Sequence, residues 1–210
     1  MIHDSQVWKE VLLAELRGLR EYLAKAQASR RSDVKERALV RVEKFVFISA
    51  FVMRKLFEVK KISDEIARSE LSVRSFARNS LSGRIHRMNW DRINLHYHLD
   101  RPMSKKVLVR TLCNQLIHSA VFLCHSNDED GAIEGFYVTS DEQKETGLLY
   151  VGLKIYCDVV ERVISDEIVS WVANFQTGAS IQSNRIGTEA QQLKMLDAFS
   201  KPKSRARRRG

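Results

Sequence analysis

The sequence predicts a mainly α-helical domain of the α+β class, in which a small antiparallel β-sheet or hairpin is inserted into a helical bundle. Two observations indicate this fold class. Only two prolines and nine glycines occur among the 210 residues, and so few helix-breaking residues favour long helices. Several long segments also repeat apolar residues at helical spacing, whereas alternation of period two is confined to the middle of the chain.

The helices are assigned from capping residues and apolar periodicity. Asp4 or Ser5 can cap the first helix, along which apolar residues recur every three or four positions. Asp33 can cap the second helix, and Ser104 can cap a long helix in the second half of the chain. The second helix is apolar on most sides over residues 45–53, so it is expected at the centre of the core. Helices are expected at about residues 5–27, 33–59, 63–78, 105–125, 156–174 and 188–199.

The β-structure is expected in two places. Residues 92–99 alternate between apolar and polar side chains, which is typical of a half-buried strand and places His96 and His98 on its polar face. Residues 132–139 and 148–155 flank a polar turn, which indicates a β-hairpin. The β insertion is therefore expected at about 92–99 and 132–155, within a single domain that covers residues 1–200.

The last ten residues, 201–210, are predicted to form a basic, flexible tail. They contain six basic side chains and no acidic one, so of the formal net charge of +9 only +3 belongs to the preceding residues. Such a segment attracts nucleic acid or another anionic surface through counterion release. The alternative is a solvated end with weak, general affinity for polyanions. The nucleic-acid-binding candidates of the tail are Lys201, Lys203, Arg205, Arg207, Arg208 and Arg209.

The cysteines and the apolar segments predict a cytoplasmic protein. Cys113, Cys124 and Cys157 form no C-x-x-C pair, which favours a reducing compartment. The N-terminus is too polar for a signal peptide, and the most apolar run, 45–57, is shorter than the ~20 residues that span a bilayer. His96 and His98 have no second ligand pair at metal-binding spacing, so neither a metal nor a cofactor is expected.

The helix expected at 105–125 carries a polar stripe. Arg110, Asn114 and His118 are four residues apart, and residues at that spacing lie on nearly the same face of a helix. Polar side chains on an otherwise apolar helix need solvent or partners. The stripe is therefore expected to bind a phosphate, to meet a partner helix in a dimer, or to form a polar network in the core.

The sequence CNQLIH at residues 113–118 resembles the signature helix of the HEPN superfamily. That motif is an arginine, often followed by a polar residue such as asparagine, and a histidine a few residues later. Asn114 and His118 match it, whereas Cys113 stands at the arginine position and Arg110 lies one turn earlier. The resemblance implies a HEPN-like helical bundle that dimerises through facing signature helices and cleaves RNA without a metal ion. His118 would then transfer protons and Arg110 of the other subunit would bind the phosphate.

A second nucleic-acid candidate is the basic segment GRIHRMNWDR at residues 83–92. Arg84 and Arg87 can pair with phosphates, and Trp90 can stack on the bases of a single strand. The alternative is an ordinary loop that Trp90 anchors to the core.

The sequence thus predicts a nucleic-acid-associated protein with RNA as its expected partner, either a metal-independent ribonuclease or a catalytically degenerate relative. The alternative is a non-enzymatic, dimeric interaction or accessory protein that uses the polar stripe for assembly and the basic tail for docking. One feature separates them. An enzyme needs His118 accessible beside a guanidinium, whereas an assembly protein would bury His118 among satisfied partners.

Overall fold

The computed structural model describes residues 4–29, 31–127, 131–174 and 179–183. A five-stranded antiparallel sheet in the order β2-β1-β5-β4-β3 lies at its centre. The strands are β1 (Glu70–Ala77), β2 (Met103–Leu108), β3 (Ser119–Ser126), β4 (Ile133–Ser140) and β5 (Gly147–Gly152). The helices are α1 (Ser5–Gln27), α2 (Ser32–Glu58), α3 (Asp64–Ala67), α4 (Ile93–His96), α5 (Val109–Ile117) and α6 (Leu153–Ile164). A two-stranded sheet pairs β6 (Ser170–Asn174) with β7 (Ala179–Ser183).

The main core lies between the helices and one face of the five-stranded sheet. Helices α2, α5 and α6 pack against the sheet, and α1 packs on α2 and α6. Phe45 and Met53 of α2 are fully buried, which confirms the expectation that the second helix is central. Alternate strand residues enter this core because successive side chains of a strand point to opposite faces. They are Leu71, Val73, Val107, Phe136, Val138, Leu149 and Val151.

The opposite face of the sheet is covered in part by the segment 78–102. Ile85 and Tyr97 from this segment pack on a second, smaller apolar cluster. The strand residues of that cluster are Phe76, Val121, Leu148 and Tyr150. The segment therefore acts as a lid on one end of the sheet face, and it also carries the basic sequence singled out above.

The predicted fold class, a helical bundle with a small β insertion, is wrong, because the five-stranded sheet is the framework on which the helices pack. The first two helices are confirmed at 5–27 and 32–58, and Asp4 caps α1 by accepting a hydrogen bond from the Gln6 amide at 2.8 Å. The third expected helix is reduced to the single turn of α3, and β1 follows it. In β1, Leu71 and Val73 alternate with exposed residues and face the main core, and Phe76 faces the opposite side of the sheet, as side chains of a strand do.

The helix predicted over 105–125 is also wrong. Only Val109–Ile117 is helical, and strands β2 and β3 flank it. Residues 119–126 pair with β4 and residues 103–108 pair with β1, so the main-chain groups on one side of each of these edge strands form hydrogen bonds across the sheet. Short runs of valine, leucine and phenylalanine fit a strand as well as a helix, and long-range pairing decides between them.

The remaining expectations have mixed outcomes. The strand predicted over 92–99 is wrong, because residues 93–96 form the helical turn α4. The hairpin predicted over 132–155 is confirmed as β4 and β5, but both strands are internal to the sheet and form no insertion. The helix predicted to reach residue 174 ends at Ile164, and residues 170–174 are a strand. The helix predicted at 188–199 and the tail 201–210 lie outside the described residues.

Candidate nucleic-acid interface

Arg78 holds the first half of the lid segment. Its guanidinium donates hydrogen bonds to the main-chain oxygens of Asn79 at 3.1 Å, of His96 at 2.8 Å and of Gly83 at 2.8 Å. It also donates to the Ser82 hydroxyl. Only 10% of the Arg78 side chain is exposed, so these bonds lie largely out of water. Because a guanidinium presents its donors in a rigid planar fork, one residue fixes several turns of main chain.

Asn89 holds the second half of the lid segment. Its side-chain oxygen accepts from the His86 amide at 2.8 Å, and its side-chain nitrogen donates to the Arg84 carbonyl at 3.1 Å. The Asn89 carbonyl in turn accepts from Nε2 of the buried His96 at 3.0 Å. His96 is thus used in the fold, and it does not lie on the polar face of a strand as expected. Together these bonds fix residues 84–89 as a turn whose exposed arginines point away from the core.

The turn borders a cleft of about 700 Å³ at the β3 edge of the sheet, named here the Arg84 cleft. Helix α2 and strand β3 form one wall, where the rings of Phe47 and Phe122 lie 4.8 Å apart. The turn between β4 and β5 contributes Asp141 and Lys144. The residues that line the cleft are Glu43, Phe47, Arg84, Ile85, His86, Arg87, Trp90, Ser119, Ala120, Phe122, Asp141 and Lys144.

The structure places Arg84, Arg87 and Trp90 in the lining of one cleft, and their binding of nucleic acid stays a prediction. Trp90 also packs against the smaller apolar cluster, which is the anchoring role considered for it. The sequence reasoning missed Phe47, Phe122 and Lys144. They come from elements far apart in the chain: the pairing of β3 with β4 brings Phe122 near the turn that carries Lys144, and the packing of α2 on β3 adds Phe47.

The charges in the cleft are partly paired. Lys144 Nζ donates to Asp141 Oδ1 at 2.5 Å, and this hydrogen bond, the charge of Lys144 and the charge of Arg84 hold the pKa of Asp141 below its usual value. Asp141 thus stays ionised and offsets Lys144. Arg84 and Arg87 are exposed, and no ion pair occupies either guanidinium within the described residues. These two guanidiniums can donate hydrogen bonds to a phosphate, and the neighbouring rings can stack on a base.

Tyr97 fixes the turn that carries Lys144. Its hydroxyl donates to the Lys144 carbonyl at 2.8 Å. Burial raises the pKa of Tyr97 to about 12, although the charge of Arg78 opposes the shift. The hydroxyl therefore keeps its proton and its hydrogen bond throughout the physiological range of pH.

The catalytic trio predicted from the polar stripe is not assembled. Asn114 and His118 line a second cavity of about 520 Å³, in which Arg54 of α2 is the arginine. Arg110 does not line this cavity, and its charge acts instead on Glu58 at the end of α2. The physical reason is the direction of the side chains: Thr111, Asn114, Gln115 and His118 face the cavity, and Arg110 lies about 90° around the helix from the centre of that face.

Cys113 points away from this cavity into the core. It is 1% exposed, and burial raises the pKa of its thiol to about 12. An arginine at this position would have to lie in the apolar core, so Cys113 suits the packing of α5. The sequence reasoning missed Arg54, although a signal was present: Arg54 interrupts the most apolar run of the chain. Its Nη2 atom pairs with Glu58 Oε1 at 3.1 Å, and its Nη1 atom is buried without a partner in the described residues.

The remaining candidate features are a metal site, a membrane span and the basic tail. No group of three or more potential metal ligands occurs within the part of the chain that the structure describes. Within the same residues, no helix combines the length and apolar character needed to cross a bilayer. The tail candidates Lys201, Lys203, Arg205, Arg207, Arg208 and Arg209 lie outside the described residues.

Comparisons of the chain with protein-family models, with curated proteins and with solved structures gave no match. The function is therefore argued from the Arg84 cleft and the neighbouring cavity.

Proposed function

We propose that this protein binds single-stranded nucleic acid, with RNA as the expected partner, in the Arg84 cleft. The observation that supports this most strongly is the position of Arg84, Arg87 and Trp90 on one turn that faces the Phe47 and Phe122 rings. Guanidiniums bind the phosphates of a single strand and aromatic rings stack on its unpaired bases. A cleft with both groups accepts a strand whose bases are free and disfavours a duplex.

The basic tail adds affinity that does not depend on sequence. Its six cations raise the concentration of any polyanion near the fold by releasing counterions. The three cysteines are free in the structure, which fits a reducing compartment, and the protein is proposed to act in the cytoplasm.

The test is the binding of a labelled single-stranded RNA to the whole chain, followed by fluorescence anisotropy. The variant Arg84→Gln with Arg87→Gln should weaken binding about tenfold or more, because two phosphate contacts are lost. The matched control is Arg17→Gln with Arg37→Gln, which removes the same charge from exposed positions outside the cleft. Equal affinity of the cleft variant and the wild type would exclude the cleft as the binding site.

Metal-independent cleavage of RNA is a second candidate function. It is favoured by one observation: His118 is exposed and lines the same cavity as the Arg54 guanidinium. A histidine can move the proton of a ribose hydroxyl while an arginine offsets the charge that develops on the phosphate. In this arrangement Arg54 replaces Arg110 as the arginine beside His118 and Asn114.

Cleavage of a labelled RNA pool in EDTA tests this candidate. Cleavage should be lost in His118→Ala and in Arg54→Gln and retained in Arg110→Gln, which removes an arginine outside the cavity. If the wild type cleaves no RNA, two functions remain: nucleic-acid binding without catalysis, or the non-enzymatic interaction protein. The latter is expected to be a dimer in sedimentation analysis, and variants of the polar stripe should dissociate it.

A further inference from the structure

The sheet face beyond the lid segment carries aromatic and basic side chains that the Arg84 cleft does not use. Arg74 of β1 is the register partner of Tyr150 of β5, and Tyr150 is the partner of Tyr137 of β4. His125 of β3 lies one row further on, opposite Gly135. These four residues, Arg74, Tyr150, Tyr137 and His125, are named the aromatic face.

The four side chains pack on one another in a continuous layer. The rings of Tyr137 and Tyr150 lie 5.1 Å apart, and His125 meets each of them edge-on at 5.6 Å. The Arg74 guanidinium lies 4.0 Å from the centre of the Tyr150 ring, a cation–π distance. Tyr150 is buried by this arrangement, whereas Arg74 is exposed and Tyr137 and His125 are half-buried.

A glycine makes the layer possible. A Cβ atom at Gly135 would clash with the Val151 carbonyl oxygen and would lie 2.7 Å from the Cζ and hydroxyl oxygen of Tyr150, so any other residue would displace the neighbouring main chain and the Tyr150 ring. The ring therefore lies across the neighbouring strand and brings Arg74 and His125 together over one surface.

This surface adjoins the Arg84 cleft at the lid segment, because Trp90, which lines the cleft, packs against the same apolar cluster as Tyr150 and Tyr137. Arg74 is the cation of the aromatic face that can bind a phosphate. Two acids lie near it: Glu70 is paired with Lys106 at 3.9 Å, and the charge of Glu134 acts on Tyr150.

We propose that the aromatic face extends the nucleic-acid surface, so that one single strand runs from the Arg84 cleft across the sheet. Tyr137 and His125 stack on bases, and Arg74 binds a backbone phosphate. An antiparallel sheet suits this role because its aromatic side chains stand on one flat surface and accept splayed bases. From β1 to β3 the surface spans three strand spacings of ~4.8 Å, about 14 Å in all, which matches a few nucleotides. This inference rests on the proposed function and names its second contact region.

The test compares a short single-stranded RNA, which fills the cleft alone, with a longer one that also reaches the sheet. Tyr137→Ala should weaken binding of the longer RNA about tenfold and leave the short RNA unchanged, since stacking on one ring is lost. Tyr137→Phe should retain the affinity, because the ring and not the hydroxyl stacks. The matched control is Tyr22→Ala, which removes an exposed tyrosine of α1 that lies in neither surface.

Arg74→Gln provides a second variant that keeps the buried rings in place. It should reduce the slope of log K against log salt for the longer RNA by the contribution of about one phosphate contact.

Three outcomes would contradict the account. If Tyr137→Ala and Arg74→Gln bind both RNAs as the wild type does, while the Arg84 and Arg87 double variant binds weakly, the aromatic face is not a contact region and only the cleft binds RNA. Wild-type binding by the cleft variant would overturn the proposed function itself. Equal loss in Tyr137→Phe and Tyr137→Ala would overturn stacking.

Discussion

At the scale of single residues, Arg78 is central to the shape of the cleft. Hydrogen bonds from a charged donor stabilise a fold by about 1.5–3 kcal/mol each when they lie out of water. Arg78 makes three to main-chain oxygens of the lid segment, and its Nε also pairs with Glu145 at 3.2 Å. The turn that presents Arg84 and Arg87 therefore depends on a residue that does not line the cleft.

Replacement of Arg78 by lysine should loosen the lid segment. A lysine ammonium is a point charge and cannot reach carbonyls on several sides, so we expect the free energy of unfolding to fall by about 2 kcal/mol. Urea denaturation measures this loss, and amide exchange of residues 79–96 should become faster. Arg101→Lys, at a side chain that is 81% exposed, serves as control and should change little. Unaltered exchange in the Arg78 variant would show that other contacts hold the segment.

Cys113 predicts a pH dependence of stability. Burial raises its pKa from 9.0 to about 12, so the folded thiol stays neutral where the unfolded thiol ionises. Its contribution to stability is complete below pH 9 and is lost as the pH rises toward 12, and at pH 10 the loss is about 1.4 kcal/mol. In urea denaturation at pH 8 and pH 10, Cys113→Ala should lose less stability between the two values than the wild type. Equal losses would contradict the assignment.

Residues also show how far the sequence could predict the site. The basic and aromatic composition of 83–92 predicts Arg84, Arg87 and Trp90 as a group, because the segment is local, and the structure places all three along one cleft. For the polar stripe, spacing of four predicted that Arg110 would share a surface with Asn114 and His118. The structure places Asn114 and His118 on one cavity without Arg110, because which part of the helix surface a cavity uses depends on tertiary packing.

At the scale of elements, long periodic segments were predictable and short apolar ones were not. Helices α1 and α2 repeat apolar residues over many turns, and a pattern of that length has one interpretation. The segment 103–126 contains two short strands and a short helix, and its apolar residues fit either structure. The pairing of β3 with β4 and of β2 with β1 decides the outcome, and such pairing is not visible in local sequence.

The buried carboxylate of Asp166 joins the segment after α6 to the residue that precedes α3. Asp166, which is 3% exposed after the end of α6, accepts from the Ser63 amide at 2.7 Å and from the Ser63 hydroxyl at 2.6 Å. Asp166→Asn replaces a charged acceptor with a neutral one and requires the Ser63 hydroxyl to turn from donor to acceptor, so we expect a loss of about 1 kcal/mol in urea denaturation. Asp158→Asn, in an exposed helical pair with Lys154, should cost less than about 0.5 kcal/mol. Similar values for both variants would rule out this role for Asp166.

At the scale of the whole molecule, the positive charge is divided between the fold and the tail. Deletion of residues 201–210 removes six cations and should weaken binding to every single-stranded RNA by a similar factor. The slope of log K against log salt should become shallower in anisotropy titrations. An unchanged slope would assign the electrostatic contribution to the fold alone. The effect of the Arg84 and Arg87 double variant should persist in the truncated chain.

The measurement that tests the Arg84 cleft most directly is the salt dependence of single-stranded RNA binding in three proteins. These are the wild type, Arg84→Gln with Arg87→Gln, and the control Arg17→Gln with Arg37→Gln, which has the same net charge as the cleft variant. Each phosphate contact on a single strand contributes about 0.7 to the slope, so the cleft variant should lose about 1.4 and the control should retain the wild-type slope. A cleft variant with the wild-type slope, or the same loss in both variants, would contradict binding in the Arg84 cleft.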